Sequence, residues 1–365
     1  MKKRGIIAVF LSILLTGALI GVVPGDSEAK ELPTIKWKCV TSMGPGTIWW
    51  DESLRIPKMV EAMSGGRFKI QVFPPGALVA AFEAFDAVMN GSVECCNTWA
   101  GYASGKNKGL SAIDCVGAGM NNWDLMCWYY QHGGKKICDE LLSKLGVVGW
   151  INFINCHEQG FLTGRPIKTL RDFKGLKLRV ANLETRLVID SLGATAINMP
   201  GGEVYEALKR GVIDGIEMGT TYPDWQMGLH EIAKYWSLPI WHQRASAHWF
   251  MVGKKAYDSL PDEYKAMLYN ASLSSTLIGA TEQEYTSAVG TKKFLQAGVK
   301  QVYLDQATIN RIEEEMIKVK QKLAAENPDY KKVVESMRDY LDYMREWRKT
   351  IKPYGHGEEP PFYRK

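Results

Sequence analysis

The chain has 365 residues, 46% of them hydrophobic, with 45 Lys+Arg against 40 Asp+Glu for a formal net charge of +5. That length and apolar content suffice for the cores of two domains, and so mild a charge gives no signature of a nucleic-acid partner. Twelve Trp is high for this length; most are expected in the core, with a few left to form ligand walls.

The N-terminus reads as an export signal over 1–29. Lys2, Lys3 and Arg4 precede an apolar run over 6–23, and Ser27-Glu28-Ala29 supplies small residues for cleavage. The mature chain then starts near Lys30, in the periplasm, and no Cys near the junction offers a lipid anchor. The run is long for a signal, so a retained N-terminal anchor is the other reading.

Residues 35–40 (IKWKCV) read as a strand, followed by a Gly-rich turn over 42–47 and a helix stopped by Gly65-Gly66. Pro57 lies inside that helix pattern, so the helix starts there or kinks. Residues 67–73 alternate, with Phe68, Ile70 and Val72 on one face, and Pro74-Pro75-Gly76 ends this strand. Helix and strand then alternate onward, which predicts an α/β fold with a largely parallel sheet. EAFDAVMNGSVE (83–94) aligns with EVYEALKRGVID (203–214). Each reads as a helix, a Gly stop and a strand, one unit for each of two lobes. Asn97-Thr98-Trp99 follows the first unit and suits a cleft rim or a core. Two apolar runs beside Gly, 158–166 and 248–254, read as strands carrying the chain between lobes, which makes a hinge and a cleft.

Between 170 and 235 a short strand ends in Arg179, and a helix-to-strand turn delivers Glu217 and Met218. A fixed cation and a carboxylate then stand near strand ends, where open α/β sheets bind ligands. Farther on, Ile309, Ile312, Met316, Val319 and Leu323 step as one amphipathic helix. Asn327-Pro328 interrupts it, and Val333, Met337, Tyr340, Met344, Trp347 and Ile351 continue in a second helix. These helices suit packing on the lobes or a seam for a second subunit. The tail after Lys352 is rich in Pro, Gly and charge and reads as loose.

Seven Cys, at 39, 95, 96, 115, 127, 138 and 156, show no CxxC or Cys/His metal spacing. Buried small apolar residues are the expectation over a disulfide framework. GxSxG and HExxH motifs are absent and the six His lack metal spacing, so an enzyme is not indicated.

The motifs IKWKCVTS, MSGGRFKIQVFPPGALV with FEAFDAV, PIKTLRDFKGLKLRV, LGATAINMPGGEVYEALKRGVIDGIE, GLHEIAKYW and SLPDEYKAML cover most of 35–270. In this order they resemble the substrate-binding proteins of TRAP transporters, the DctP-type family, and within it the TakP-like subgroup of α-keto acid binders. The resemblance implies an α/β, two-lobed periplasmic binding protein (type II-like) with hinge strands and long C-terminal helices. It divides the chain into a first lobe (30–157 with 248–275), a second lobe (158–247 with 276–305), C-terminal helices (306–352) and a tail (353–365). It also implies capture of a small organic acid without chemistry, delivery to TRAP permease subunits, no nucleic acid, and a homodimer through the C-terminal helix. The expected ligand is a 2-oxo or 2-hydroxy monocarboxylate; a sulfonate, a dicarboxylate or a ligand-sensing role are the alternatives.

Arg179 matches the family Arg that grips the ligand carboxylate, for which a planar guanidinium fork is suited. Glu217 and Met218 match a Glu-Trp pair that holds a metal ion beside the ligand, Met218 through its backbone oxygen. Gln159 resembles the Gln completing that set, and Gln243 stands where relatives often carry Glu. Oxygen donors imply Na⁺ or Ca²⁺, and one protein carboxylate favours Na⁺. The alternative is that Gln159 and Glu217 hydrogen-bond the ligand. Trp99, Tyr102, Asn182, Tyr222 and Trp241 are wall candidates.

Overall fold

A computed structural model describes residues 31–114 and 120–352, so the signal segment, Cys115 and the tail beyond 352 lie outside the described residues. The alternating run at the start forms β1 (Ile35–Thr41) and β2 (Phe68–Phe73), paired in parallel from Ile35 with Phe68 onward. Between them the helix Arg55–Met63 carries Pro57 in its first turn, where no N–H is needed, so the helix starts rather than kinks. Gly65 and Gly66 follow with φ of 59° and 78°, the left-handed backbone that stops a helix without a Cβ clash.

Five strands make the first sheet in the order β2-β1-β3-β10-β4, with β3 Cys95–Trp99, β4 Val147–Asn155 and β10 Ser246–Gly253. Six make the second, in the order β11-β9-β5-β8-β6-β7: β5 Leu162–Thr163, β6 Lys177–Arg179, β7 Thr195–Ile197, β8 Gly215–Ile216, β9 Tyr235–Leu238 and β11 Lys300–Tyr303. Both sheets are mixed rather than largely parallel, because β10 and β5 run antiparallel to their neighbours. Each is the strand that follows a passage from the other sheet. A chain arriving that way enters a sheet from the opposite end to a helical crossover, so the departure from the expected parallel order follows from the hinge.

This is the two-lobed α/β architecture with hinge strands. The first passage, over 156–161, falls within or beside the expected run. The second falls at 239–245, and the 248–254 run lies mostly inside β10, already paired in the first sheet. A third connection is the single helix Asp262–Gln296, which packs on β4 and on the helix Thr221–Gln226. Gly290 allows that second contact, since a Cβ there would lie 2.5 Å from Thr221 and Tyr222 backbone.

The two aligned segments adopt the same local structure. Helices Ala84–Met89 and Val204–Lys209 each follow a short 3-10 turn. Each ends with equivalent bonds: Asn90 N–H to Asp86 O beside Arg210 N–H to Glu206 O, and Gly91 N–H to Val88 O beside Gly211 N–H to Leu208 O. Each then turns through a left-handed Gly, Gly91 at φ 77° and Gly211 at φ 70°.

Trp49, Trp128 and Trp249 are fully buried, as the core reading of Trp expects, although Trp123 and Trp347 are exposed. The six described cysteines are free thiols. The C-terminal helices Gln306–Glu326 and Pro328–Tyr343 break at Asn327 as expected. The second does not run unbroken to 351: it stops at Met344 and Arg345–Ile351 follows, a turn that sets Arg348 on Asp124 at 2.6 Å. No helix of the described residues is long and apolar enough to cross a membrane.

Candidate functional site

Arg179 ends β6 with only 1% of its surface exposed. A buried guanidinium needs partners, and the protein holds two of its nitrogens. Nε donates to Met199 O at 3.2 Å, and Nη1 donates to Glu217 O at 2.6 Å and to Glu217 Oε2 at 3.2 Å. The sheet supplies the register, since Arg179 pairs with Ile216 and the Glu217 N–H donates to Arg179 O at 3.0 Å. Ala181 N–H also donates to Glu217 Oε2, at 3.3 Å. Cation and carboxylate are thus fixed against each other by backbone before any ligand arrives.

The two passages between the sheets bring in the rest. Glu158 comes from the first and His242 and Gln243 from the second, clipped together by Glu158 N–H to Gln243 O at 3.1 Å. Ligand atoms of Glu158, Glu217 and His242 lie within 4.8 Å of one another, all buried. Glu158 Oε1 accepts from Ser246 at 2.9 Å, whereas Glu158 Oε2, both His242 nitrogens and both polar side-chain atoms of Gln159 are buried without hydrogen-bond partners. Buried polar atoms are ordinarily paired, so this group of open donors and acceptors could hold a polar ligand or an ion. The sequence reading counts one carboxylate; the structure sets a second beside it, and a His that no spacing pattern had marked.

The electrostatics agree. Burial pushes the Glu158 carboxyl well above the usual carboxylate range, and neighbouring Glu217 adds to the rise. Burial raises Glu217 too, with Arg179 opposing. Asp224 is also driven well up by burial, against a bond from the Gly219 amide. Burial pushes His242 down to about 3, so its imidazole is neutral and free to ligate at neutral pH.

A cavity of about 20 Å³ reaches Glu158 and Glu217, walled also by Trp99, Tyr102, Arg179, Met218 and Gln243, with Asp114 and Ala181 completing it. Tyr102 hydrogen-bonds Arg179, and burial pushes its hydroxyl up to about 12. Trp99 stacks edge-on against Trp49 and His248, at 5.4 and 4.5 Å between centroids. Three acids and one arginine face this space.

The remaining expected residues lie elsewhere. Asn182 caps the helix Leu183–Ser191, accepting from Thr185 N–H at 3.1 Å and donating to Ser111 at 3.1 Å, so its side chain is committed. Trp241 leans on Phe161 and His242, and Tyr222 packs against a hydrophobic cluster drawn from both sheets. Gln159 holds its place through its N–H to Gly219 O at 2.6 Å and is buried, but its side chain is not part of the cavity wall.

Known proteins resemble this chain over most of its length. The family model "DctP: Bacterial extracellular solute-binding protein, family 7" matches residues 40–327. The chain is 27% identical over 359 residues to the monocarboxylate 2-oxoacid-binding periplasmic protein of Nostoc sp. (strain PCC 7120), covering 96% of each. A TRAP periplasmic solute-binding protein from Pseudoalteromonas atlantica T6c, solved with bound sodium and pyruvate, superposes with a TM-score of 0.83 at 27% identity, over 88% of this chain and 100% of that one. A TRAP transporter solute-binding protein from Bordetella bronchiseptica RB50, a dimer with copurified calcium and picolinate, gives 0.82 at 25% identity, over 88% and 95%.

Proposed function

The chain belongs to family 7 of the bacterial extracellular solute-binding proteins, the DctP family, and on that premise we propose that it captures a 2-oxo monocarboxylate together with a divalent cation. At the coarser level it is the periplasmic solute-binding protein of a TRAP transporter, which binds a small organic acid without catalysis and delivers it to the membrane permease.

The observation that carries the finer reading is the cavity walled by Arg179, Glu158 and Glu217, with His242 within 4.8 Å of both carboxylates. Arg179 offers a charge-assisted fork to the acid's carboxylate. Glu158, Glu217 and His242 would hold the cation, with Gln159, Gln243 and the Met218 backbone oxygen as further donors. When bound, the cation supplies positive charge to the 2-oxo oxygen and the carboxylate at once. The ligands described for the two solved relatives, pyruvate and picolinate, share that chemistry: a carboxylate with a second donor on the adjacent carbon. With the three acids ionised, one arginine and an incoming carboxylate leave a net charge of −3, which a divalent ion offsets better than a monovalent one. The second carboxylate therefore shifts the expected ion from Na⁺ to Ca²⁺. Trp99 and Tyr102 wall the site and exclude water.

The same reading puts the chain in the TakP-like subgroup and keeps its first lobe at 30–157 with 248–275. It keeps the second at 158–247 with 276–305, and makes the C-terminal helices over 306–352 the seam of a homodimer.

Thermal shift of chelator-stripped protein tests the proposal, with pyruvate, succinate and isethionate each in Ca²⁺, Na⁺ or chelator. A ligand that binds only the native state raises its apparent stability. A shift with pyruvate that needs Ca²⁺ supports the reading. A shift with succinate or isethionate in chelator keeps Arg179 as the clamp and removes both the cation and the 2-oxo acid.

A further inference from the structure

The small size of the inner cavity leaves no room for a ligand with a long tail, yet a second cavity of about 290 Å³ opens directly beside it. Loops of the two halves line this outer cavity: Ser42, Gly44, Pro75 and Ala81 from one, Pro200 and Gly202 from the other. The residues between these lining positions, Met43 and Gly201, pack with Met218, which walls the inner cavity. A Cβ on Gly201 would lie 2.3 Å from Met218 Cε and 3.3 Å from Met43 Sδ. The partition between the cavities is therefore two methionine side chains resting on a glycine.

That partition is soft. Methionine is unbranched and changes rotamer readily, and its thioether accepts varied apolar partners.

The geometry points to the outer cavity as a tail subsite, entered past Met43 and Met218, which makes the ligand a 2-oxo monocarboxylate with a long, uncharged tail. This rests on the reading of the inner cavity as the acid site. The lining chemistry selects the tail. Gly44, Pro75, Gly76, Ala80 and Ala81 present small apolar surface. The Ser42 hydroxyl, 2% exposed and without a hydrogen-bond partner, adds a polar contact. Glu203 also lines this cavity, and neither Lys nor Arg does, so a second carboxylate at the tail's end would meet a like charge.

Binding of pyruvate, 2-oxohexanoate, 2-oxooctanoate and 2-oxoglutarate to Ca²⁺-loaded protein tests this by calorimetry. The parent should bind 2-oxooctanoate more tightly than pyruvate and reject 2-oxoglutarate relative to 2-oxohexanoate, a rejection that Glu203→Gln should relax. Gly202 has no positive φ and an added Cβ meets nothing within 4 Å, so Gly202→Leu fills the outer cavity without forcing the backbone. It should raise the ratio of the 2-oxooctanoate Kd to the pyruvate Kd by at least about tenfold, the discrimination an apolar pocket gives when blocked. Gly202→Ala should move that ratio in the same direction by less. If the parent binds pyruvate but not the longer acids, the tail subsite is wrong while the acid site stands. The same holds if neither Gly202 variant changes the ratio. If the parent binds none of the 2-oxo acids, the acid site is wrong as well and the tail subsite goes with it.

Discussion

The two repeated units, one ending in β3 and the other in β8, are alike in backbone and opposite in what they deliver. Each passes from a short helix through a left-handed glycine into a strand. In the first, the position matching Glu217 is Asn97, whose Nδ2 donates to Ser53 O at 3.0 Å and whose Oδ1 accepts from Asn152 at 3.1 Å. That amide is neutral, satisfied and wholly buried. In the second, Glu217 is buried as deeply, beside a second carboxylate and a single arginine, with burial holding it partly against ionisation. One scaffold thus serves as a closed structural joint in one half and as an open charge site in the other. The difference lies in whether the protein itself completes the polar group's partners.

The largest test of that contrast removes a partner on each side. Arg179→Ala leaves Glu217 buried without its cation, which should cost about 3–5 kcal/mol in urea unfolding, and it should abolish the thermal shift with any acid. Asn97→Ala should cost about 1–3 kcal/mol through the bonds it strands and leave the acid-induced shift in place. Loss of that shift in a folded Asn97→Ala protein would break the division between joint and site.

Next in size are Glu217→Gln and Glu158→Gln. Each keeps shape and removes one negative charge, and each should weaken Ca²⁺ binding by at least about tenfold in calorimetry. Unchanged Ca²⁺ affinity in both would remove the cation site and leave the carboxylates as hydrogen-bonding groups for the ligand.

A pH series separates the charge site from the rest. Glu158 has a folded pKa raised above its ordinary 4.5. Its favourable contribution is therefore full below 4.5 and is lost as pH rises through the folded value. Without cation, Glu158→Gln should be more stable than the parent at alkaline pH, and the gap in Tm should close as pH falls toward 4.5. Ca²⁺ should shrink the gap at high pH. His242, held down near 3, acts oppositely, losing stability as pH falls below 6.5, but it is common to both proteins and cancels in the difference.

The contrast also explains what the sequence could disclose. The places of Arg179 and Glu217 were legible because each sits at a strand end defined by local signals, the FKGLKLR strand and the Gly211 turn. Glu158 and His242 were not, because they share no element and no spacing. They meet only where two passages between sheets run side by side, joined by the bond from Glu158 N–H to Gln243 O. Asn182 carried a local signal that pointed away from a wall role, an Asn directly before a helix, which is a cap position. The mixed order of the sheets was hidden for the same reason as Glu158: strand direction after a hinge depends on where the chain enters, and no residue pattern within β5 or β10 records it.

The smallest effect tests the likeness rather than the difference. Gly91 and Gly211 have φ of 77° and 70°, and a Cβ at either meets nothing within 4 Å. Alanine at either position is therefore strained by its own backbone alone, at about 1–2 kcal/mol. If the two units are one scaffold used twice, Gly91→Ala and Gly211→Ala should lower stability equally in urea unfolding, although one turn leads to a structural amide and the other to the charge site. Both variants should keep the ligand-induced shift, because the strain is local to the turn and the β3 and β8 hydrogen bonds set the register beyond it. A much larger loss at Gly211, carried into ligand binding, would mean that the second turn is tuned to hold Glu217 in place and that the two units differ in backbone as well as in cargo.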